Sequence, residues 1–216
     1  GTGIGFKLDA GTGGSNMRNI RVENFFIRGG PNITDIFYSR GMVASQFKNI
    51  SVREGTTTGF KLLFSVLNTY QDCRVSNDEL AMTTSPTTYW LLDNNGTNRC
   101  QENTFINCDV SGKGASSTST GFKLTDATLN TFYGGTSESV QRGIDIAAGC
   151  RANTFVGMDL EANVNEDILD AGTATSYIST SSFGGGANAG TQITGDGVVF
   201  VGGAYSIINF SAASTD

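Results

Sequence analysis

Glu138, Asp159 and Glu161 are the residues whose types and spacing best fit a reaction. Glu138 and Glu161 stand 23 positions apart, and Asp159 comes two before Glu161. Glycoside hydrolysis needs two carboxyl groups flanking the bond to be broken, one protonated as the acid and one ionised as nucleophile or base. Their separation is about 5–5.5 Å for retention and roughly 6.5–9.5 Å for inversion. Like charges held that close also push one pKa upward, as the acid requires. The chain has no histidine, which removes Ser-His-Asp and Cys-His chemistry. Its cysteines, Cys73, Cys100, Cys108 and Cys150, include no CxxC pair, so the usual zinc sites are missing too. Carboxylates are common on any acidic surface, and this chain carries 20 Asp and Glu against 14 Lys and Arg. These three form a site only if the fold sets them side by side.

A structural repeat of about that interval would do so. The triplets Asn68-Thr69-Tyr70, Asn103-Thr104-Phe105, Asn130-Thr131-Phe132 and Asn153-Thr154-Phe155 supply one. Alignment on the aromatic extends the column to Met17, Phe47, Tyr70, Phe105, Phe132, Phe155 and Ile178, with spacings of 30, 23, 35, 27, 23 and 23. Such intervals belong to solenoids, and the longer ones mark loop insertions. Three and five residues after the aromatic the columns are mainly apolar, with Ile50, Cys73, Cys108 and Met158 in one and Val52, Val75, Val110 and Leu160 in the other. Both are expected to face inward at the strand spacing of about 4.8 Å. Two residues after the aromatic come Asn19, Asn49, Asp72, Asn107, Gly134, Gly157 and Thr180, mostly types that tolerate a left-handed bend. Two residues before it, Asn68, Asn103, Asn130 and Asn153 are expected to bond up the axis as an amide ladder.

A second strand set precedes these by about ten residues, as in Gly59-Phe60-Lys61-Leu62 and Gly121-Phe122-Lys123-Leu124, and alternates inward and outward. Val198-Val199-Phe200 is expected to open an eighth copy of it. The expected fold is therefore all-β, a single-stranded parallel β-helix solenoid of about eight rungs with three short strands each. Residues 1–185 form the regular rungs, and 186–216 form less regular rungs that continue the helix. The chain enters a strand pattern from Gly1 without an initiator Met, which reads as a piece of a larger protein.

The outward columns locate the chemistry. Four residues after the aromatic lie Arg74, Asp109, Thr136 and Asp159; six after it lie Arg53, Ser76, Ser111, Glu138 and Glu161. Glu138 and Glu161 are thus expected as neighbours, with Asp159 beside them as the third catalytic candidate. Arg74 and Asp109 are expected to contact substrate, together with Tyr133, whose ring can stack on a pyranose face. Tyr38, Tyr89 and Tyr205 are further stacking candidates. Lys123 and Asp145 are expected as a cross-rung ion pair of structural kind. Cys73 and Cys108 share one inward column in adjacent rungs, within reach of a disulfide, whereas Cys100 and Cys150 share another two rungs apart and are not; buried free thiols are the preferred reading of all four.

The Asn ladder, the aromatic stack and the left-handed bend column resemble the pectate-lyase-like right-handed β-helix group, which includes phage tailspikes and neck appendages, over nearly the whole chain. That resemblance implies a right-handed coil, a homotrimer whose other parts cover the exposed strand edges, and a place outside the cell or on a virion surface. The function expected is a tailspike or appendage segment that binds host surface polysaccharide, with hydrolysis by paired carboxylates if it is an enzyme. The alternatives are a non-catalytic adhesive stalk and a secreted polysaccharide lyase. A lyase wants a Lys or Arg base and usually a dense acidic set for calcium, which does not appear. No metal or cofactor is expected. A net charge of −6 argues against nucleic acid, and no apolar run is long enough to span a bilayer.

Overall fold

The computed structural model describes residues 3–11, 15–77, 84–94, 96–113, 118–183, 191–197, 199–202 and 208–210. Every regular element among them is a β-strand. The strands form one sheet of twelve and one of thirteen, and all pairing is parallel. This is an all-β architecture of curled parallel sheets, the kind a parallel β-helix requires.

The first sheet holds the Gly-Phe-Lys-Leu segments. Phe37, Phe60, Trp90, Phe122, Ile144 and Ile168 stand in register along it. In Thr120–Leu124 the period-two alternation places Phe122 and Leu124 in the core and leaves Lys123 half-buried. The second sheet holds the aromatic triplets and the strands beyond the bend. Its rings stack from Phe47 through Tyr70, Phe105, Phe132 and Phe155 to Tyr177. Successive centroids are 4.4–5.2 Å apart, with planes within 11° of parallel. Trp90 and Phe122 approach this stack edge-on from the other sheet. Offset-parallel and edge-to-face contacts satisfy the ring quadrupoles that a face-to-face sandwich would oppose.

The amide ladder forms as expected. Asn103 Oδ1 accepts from the backbone N–H and Nδ2 of Asn68, Asn130 Oδ1 from those of Asn103, and Asn153 Oδ1 from those of Asn130. Ser45 closes the early end by donating its N–H to Asn68 Oδ1. All of these side chains are buried, so the ladder satisfies backbone donors that water cannot reach.

Three expectations of register are corrected. The partner of Phe47 is Val22, not Met17; Met17 pairs with Met42 in the other sheet. The early turn carries Val22 where later turns carry a ring, and Met17 lies five positions before it. The partner of Phe155 is Tyr177, not Ile178. A one-residue slip reverses every side chain, and Ile178 points outward. Val199–Val201 continues the second sheet, with Phe200 the register partner of Tyr177, and the segment opening the next turn is Thr191–Ile193. The boundary expected at 185/186 lies outside the described residues, although Ile208–Phe210 pairs in parallel with Thr191–Ile193 beyond it.

The bend column is left-handed at Asn24, Asn49, Asp72, Asn107, Gly134, Gly157 and Ser179. At Gly135, φ is 87° and a Cβ would run into the Cys108 carbonyl, so this turn needs a bare backbone. A second left-handed column, three residues before the aromatic, was not foreseen. Ala44, Leu67, Glu102, Leu129, Ala152 and Ala174 have φ of 49–57°. A left-handed L-residue costs roughly 1–2 kcal/mol. Each of these donates its N–H to a carbonyl of the next repeat, as Leu129 does to Arg151, which offsets that cost.

Candidate functional site

The carboxylates lie on the strands that follow the bend. Arg74–Ser76, Asp109–Ser111, Thr136–Glu138 and Asp159–Glu161 are consecutive neighbours in the second sheet. Val75, Val110, Ser137 and Leu160 are buried, and this inward column fixes the residues on either side of it as outward. Glu138 is the register partner of Glu161, as expected, while Asp159 lies beside Thr136 and Asp109 beside Arg74. Glu138, Asp159 and Glu161 are thereby brought together, with Asp109 and Arg74 on the strands immediately before them.

The environments of these acids differ. Ser111 donates its hydroxyl to Glu138 Oε1 at 2.9 Å, which orients that carboxylate. Glu161 is exposed. The charge of Asp159 pushes its pKa up, with further upward contributions from burial and from the charge and hydrogen bond of Glu138. Asp109 is also raised, because burial outweighs the N–H and hydroxyl that Thr136 donates to Oδ1 at 3.1 and 3.4 Å and the attraction of Arg74. The sheet therefore holds a carboxyl with a raised pKa, Glu161, beside one that is oriented by a hydroxyl donor, Glu138. Ser111 and Thr136 acquire these roles only through the structure; their place in the outward columns is the signal that points to them.

The aromatic candidates fare differently. Tyr133 is 47% exposed but stands in another outward column, with Ile106, Val156 and Ile178, across the Gly134–Gly135 bend from Glu138. Tyr38 and Tyr89 are buried and are not surface platforms. Tyr38 lies against the ammonium groups of Lys7 and Lys61 at 5.6 and 5.9 Å from its ring centre, and the Tyr89 hydroxyl meets that of Ser85 at 3.2 Å. Tyr205 lies outside the described residues. Lys123 and Asp145 are in register, while Arg142 reaches Asp145 at 3.6 Å and Glu166 at 2.8 Å.

The four cysteines are free and buried. Burial pushes Cys100 up to about 12 and Cys150 to about 11, which removes them as nucleophiles. Among the described residues no three His, Cys, Asp or Glu side chains are grouped to hold a metal ion, and no helix is long and apolar enough to cross a membrane. A shallow cavity of about 200 Å³ is lined by Asn19, Ile20, Arg21, Ala44 and Gln46, away from the carboxylates. No family model, curated protein or solved structure matches this chain.

Proposed function

We propose that this chain is a right-handed parallel β-helix of about eight rungs, of the pectate-lyase-like kind, and a segment of a viral tailspike or appendage that binds and hydrolyses host surface polysaccharide. The amide ladder, ring stack and left-handed bends support the fold reading, and the resemblance they carry supports the virion or extracellular setting. The observation that carries the chemistry is the pairing of Glu138 with Glu161 on adjacent strands, with Asp159 raising the pKa of Glu161.

In this reading Glu161 is the acid and Glu138 the nucleophile, since adjacent-strand spacing is near the roughly 5–5.5 Å of retaining enzymes. The Glu138 carboxylate bonds to the anomeric carbon as the glycosidic C–O bond breaks, and Glu161 gives its proton to the leaving oxygen. Water then displaces Glu138 from the sugar while Glu161 takes back a proton. The charge of Asp159 raises the pKa of Glu161, the direction an acid needs, and Asp109 and Arg74 hold neighbouring hydroxyl groups. The test is release of reducing ends from a panel of capsular and wall polysaccharides. Glu138→Gln and Glu161→Gln should each lower the rate at least about hundredfold. Equal rates in wild type and both variants remove the site, and unsaturated products favour a lyase instead.

One observation favours a second reading, a non-catalytic adhesive stalk: Glu161 stands exposed on an outward sheet face. Binding without turnover in the same assay selects it. A homotrimer belongs to either reading. Ile106, Tyr133, Val156 and Ile178 form an outward apolar stripe in register, followed by Val201, and covering such a stripe with further copies would stabilise it. Light scattering should give three times the chain mass; a monodisperse monomer refutes the trimer.

A further inference from the structure

Two of the four free thiols stand one strand apart on neighbouring turns. Tyr70 pairs in register with Phe105 and Val75 with Val110, so Cys73 and Cys108, which lie between these pairs, also stand opposite each other. The Asp109 N–H donates to the Cys73 carbonyl at 3.0 Å, which fixes the two backbones as strand neighbours. Their Cα atoms are therefore about 4.8 Å apart, inside the roughly 4.4–6.8 Å that a disulfide spans. Both side chains are buried, and the two sulfurs are held alike. Cys73 Sγ donates to the Phe47 carbonyl at 3.6 Å and Cys108 Sγ to the Tyr70 carbonyl at 3.5 Å, in each case the ring residue of the turn before. A thiol is a weak donor, so little holds either sulfur in that position. Cys100 and Cys150 provide an internal contrast. Ala127 stands between them, in register with Cys100 and, from the bridge of Thr128 to Arg151, with Cys150. Two strand steps separate that pair by about 9.6 Å, beyond the reach of a disulfide.

We propose that Cys73 and Cys108 are a latent disulfide, closed when the chain folds in the presence of a small disulfide oxidant and left open when it folds without one. The reaction is thiol–disulfide exchange with an oxidant such as glutathione disulfide. The thiolate of one cysteine attacks a glutathione sulfur and expels the first glutathione thiolate. The thiolate of the other cysteine then attacks the protein sulfur of that mixed disulfide and expels the second. One S–S bond breaks and one forms, and the two electrons and two protons of the protein thiols end on two glutathione thiols. Burial decides when this can happen. Exchange needs a thiolate, and burial together with the neighbouring Cys73 thiol pushes the Cys108 pKa well up, so the folded chain does not react. The same burial shields the bond from reductants once it has formed. The state chosen during folding therefore persists: a reducing compartment gives the dithiol and an oxidising one the bond. That bond joins the starts of Arg74–Ser76 and Asp109–Ser111 and closes a loop around the turn between them. It stands apart from the glycan reading, and neither depends on the other.

The test unfolds the whole reduced chain in urea and refolds it by dilution, either with reduced glutathione or with a mixture rich in glutathione disulfide. Alkylation in urea after an acid quench then counts the thiols. The first preparation should show all four, and the second should show only Cys100 and Cys150, with peptide mapping joining Cys73 to Cys108. The reduced chain kept folded in the oxidising mixture should retain all four. The bonded form should unfold at a urea midpoint higher by on the order of 1 M. Cys108→Ala should prevent the bond, while Cys100→Ala and Cys150→Ala should leave it in place; the mapping of the wild-type chain stands even where a variant fails to fold. Four free thiols after oxidative refolding, a bond to Cys100 or Cys150, glutathione retained on Cys73 or Cys108, or a bonded form less stable than the reduced one each overturns the proposal. So does oxidation of the folded chain as fast as that of the unfolded one, since burial would then not set the state.

Discussion

Replacement of Asn130 by alanine tests the interior of the fold most directly, because its cost follows from bonds that can be counted. Asn130 Oδ1 accepts the backbone N–H and the Nδ2 of Asn103 at 3.1 and 2.8 Å. Its own Nδ2 donates to Asn153 Oδ1, Cys100 O and Thr128 O at 3.0, 3.3 and 3.2 Å. Truncation leaves the buried N–H of Asn103 without that acceptor, a penalty of about 1–3 kcal/mol, and forfeits further net bonds of about 0.5–1.5 kcal/mol each. Asn103 Nδ2 keeps Ser65 O and Asn153 Oδ1 keeps the Asn130 backbone N–H, which limits the damage. The expected loss is about 3–5 kcal/mol, a large part of a typical total of about 5–15 kcal/mol. With a urea m-value near about 3 kcal/mol/M, the midpoint falls by on the order of 1–2 M with m unchanged. Ser45→Ala is the control at the end of the ladder, where the acceptor lost serves the half-buried N–H of Ile20, and about 1 kcal/mol is expected. Equal and small losses for the two variants would refute the claim that the amides act as a cooperative column. So would the absence of coupling between Asn103→Ala and Asn130→Ala in a double-mutant cycle.

Phe132→Ala removes a ring stacked at 4.4 and 4.6 Å on its neighbours and should cost about 3–5 kcal/mol, measured in the same urea titration. Burial raises the pKa of Asp170 despite the bonds from Gly172 N–H and the Tyr177 hydroxyl, so its contribution to stability is full below the ordinary carboxylate value and is lost as pH rises through the raised one. Asp170→Asn should therefore gain on wild type as pH rises from about 3 to 7, read from urea midpoints; a pH-independent difference refutes it. Asp9 behaves oppositely: burial pushes it up, but Arg40 and Lys7 outweigh this and hold it at about 2, so its stabilisation is present at neutral pH and fades as pH falls toward that value. Asp9→Asn should flatten that acid limb of the stability curve. The four thiols should stay unreactive toward a disulfide reagent in the native protein and all react in urea; rapid native modification of any one contradicts their burial.

The interior was legible in the sequence because each inward column demands one kind of residue. A buried turn needs an amide at Asn68, Asn103, Asn130 and Asn153, and a stack needs rings at Tyr70, Phe105, Phe132 and Phe155; both columns hold in the structure. Register failed where the demand relaxed. Val22 can stand in for a ring at the early end of the stack, and Ile178 beside Tyr177 offered two apolar choices one residue apart. The second left-handed column could not be read from residue type at all. Leu67, Glu102 and Leu129 are poor left-handed residues, and only the inter-repeat hydrogen bonds of their N–H groups explain them.

The outward face follows a different logic, which is why placing the candidate site was easy and choosing its members was not. Once the inward column is fixed, parallel register compels Glu138 and Glu161 to be neighbours, whatever they do. Their chemical inequality is not compelled. It arises because Ser111 reaches Glu138 from the strand before, while Asp159 crowds Glu161 from its own strand. Sequence could place all four residues in columns, yet the direction of each side chain decides which carboxylate has its pKa raised. Tyr133 shows the converse: its residue type suits a sugar, but the Gly134–Gly135 bend commits it to the apolar stripe with Ile106 and Val156. On a surface of stacked parallel strands, position along the stack sets which residues can cooperate, and position across the bend sets which cannot.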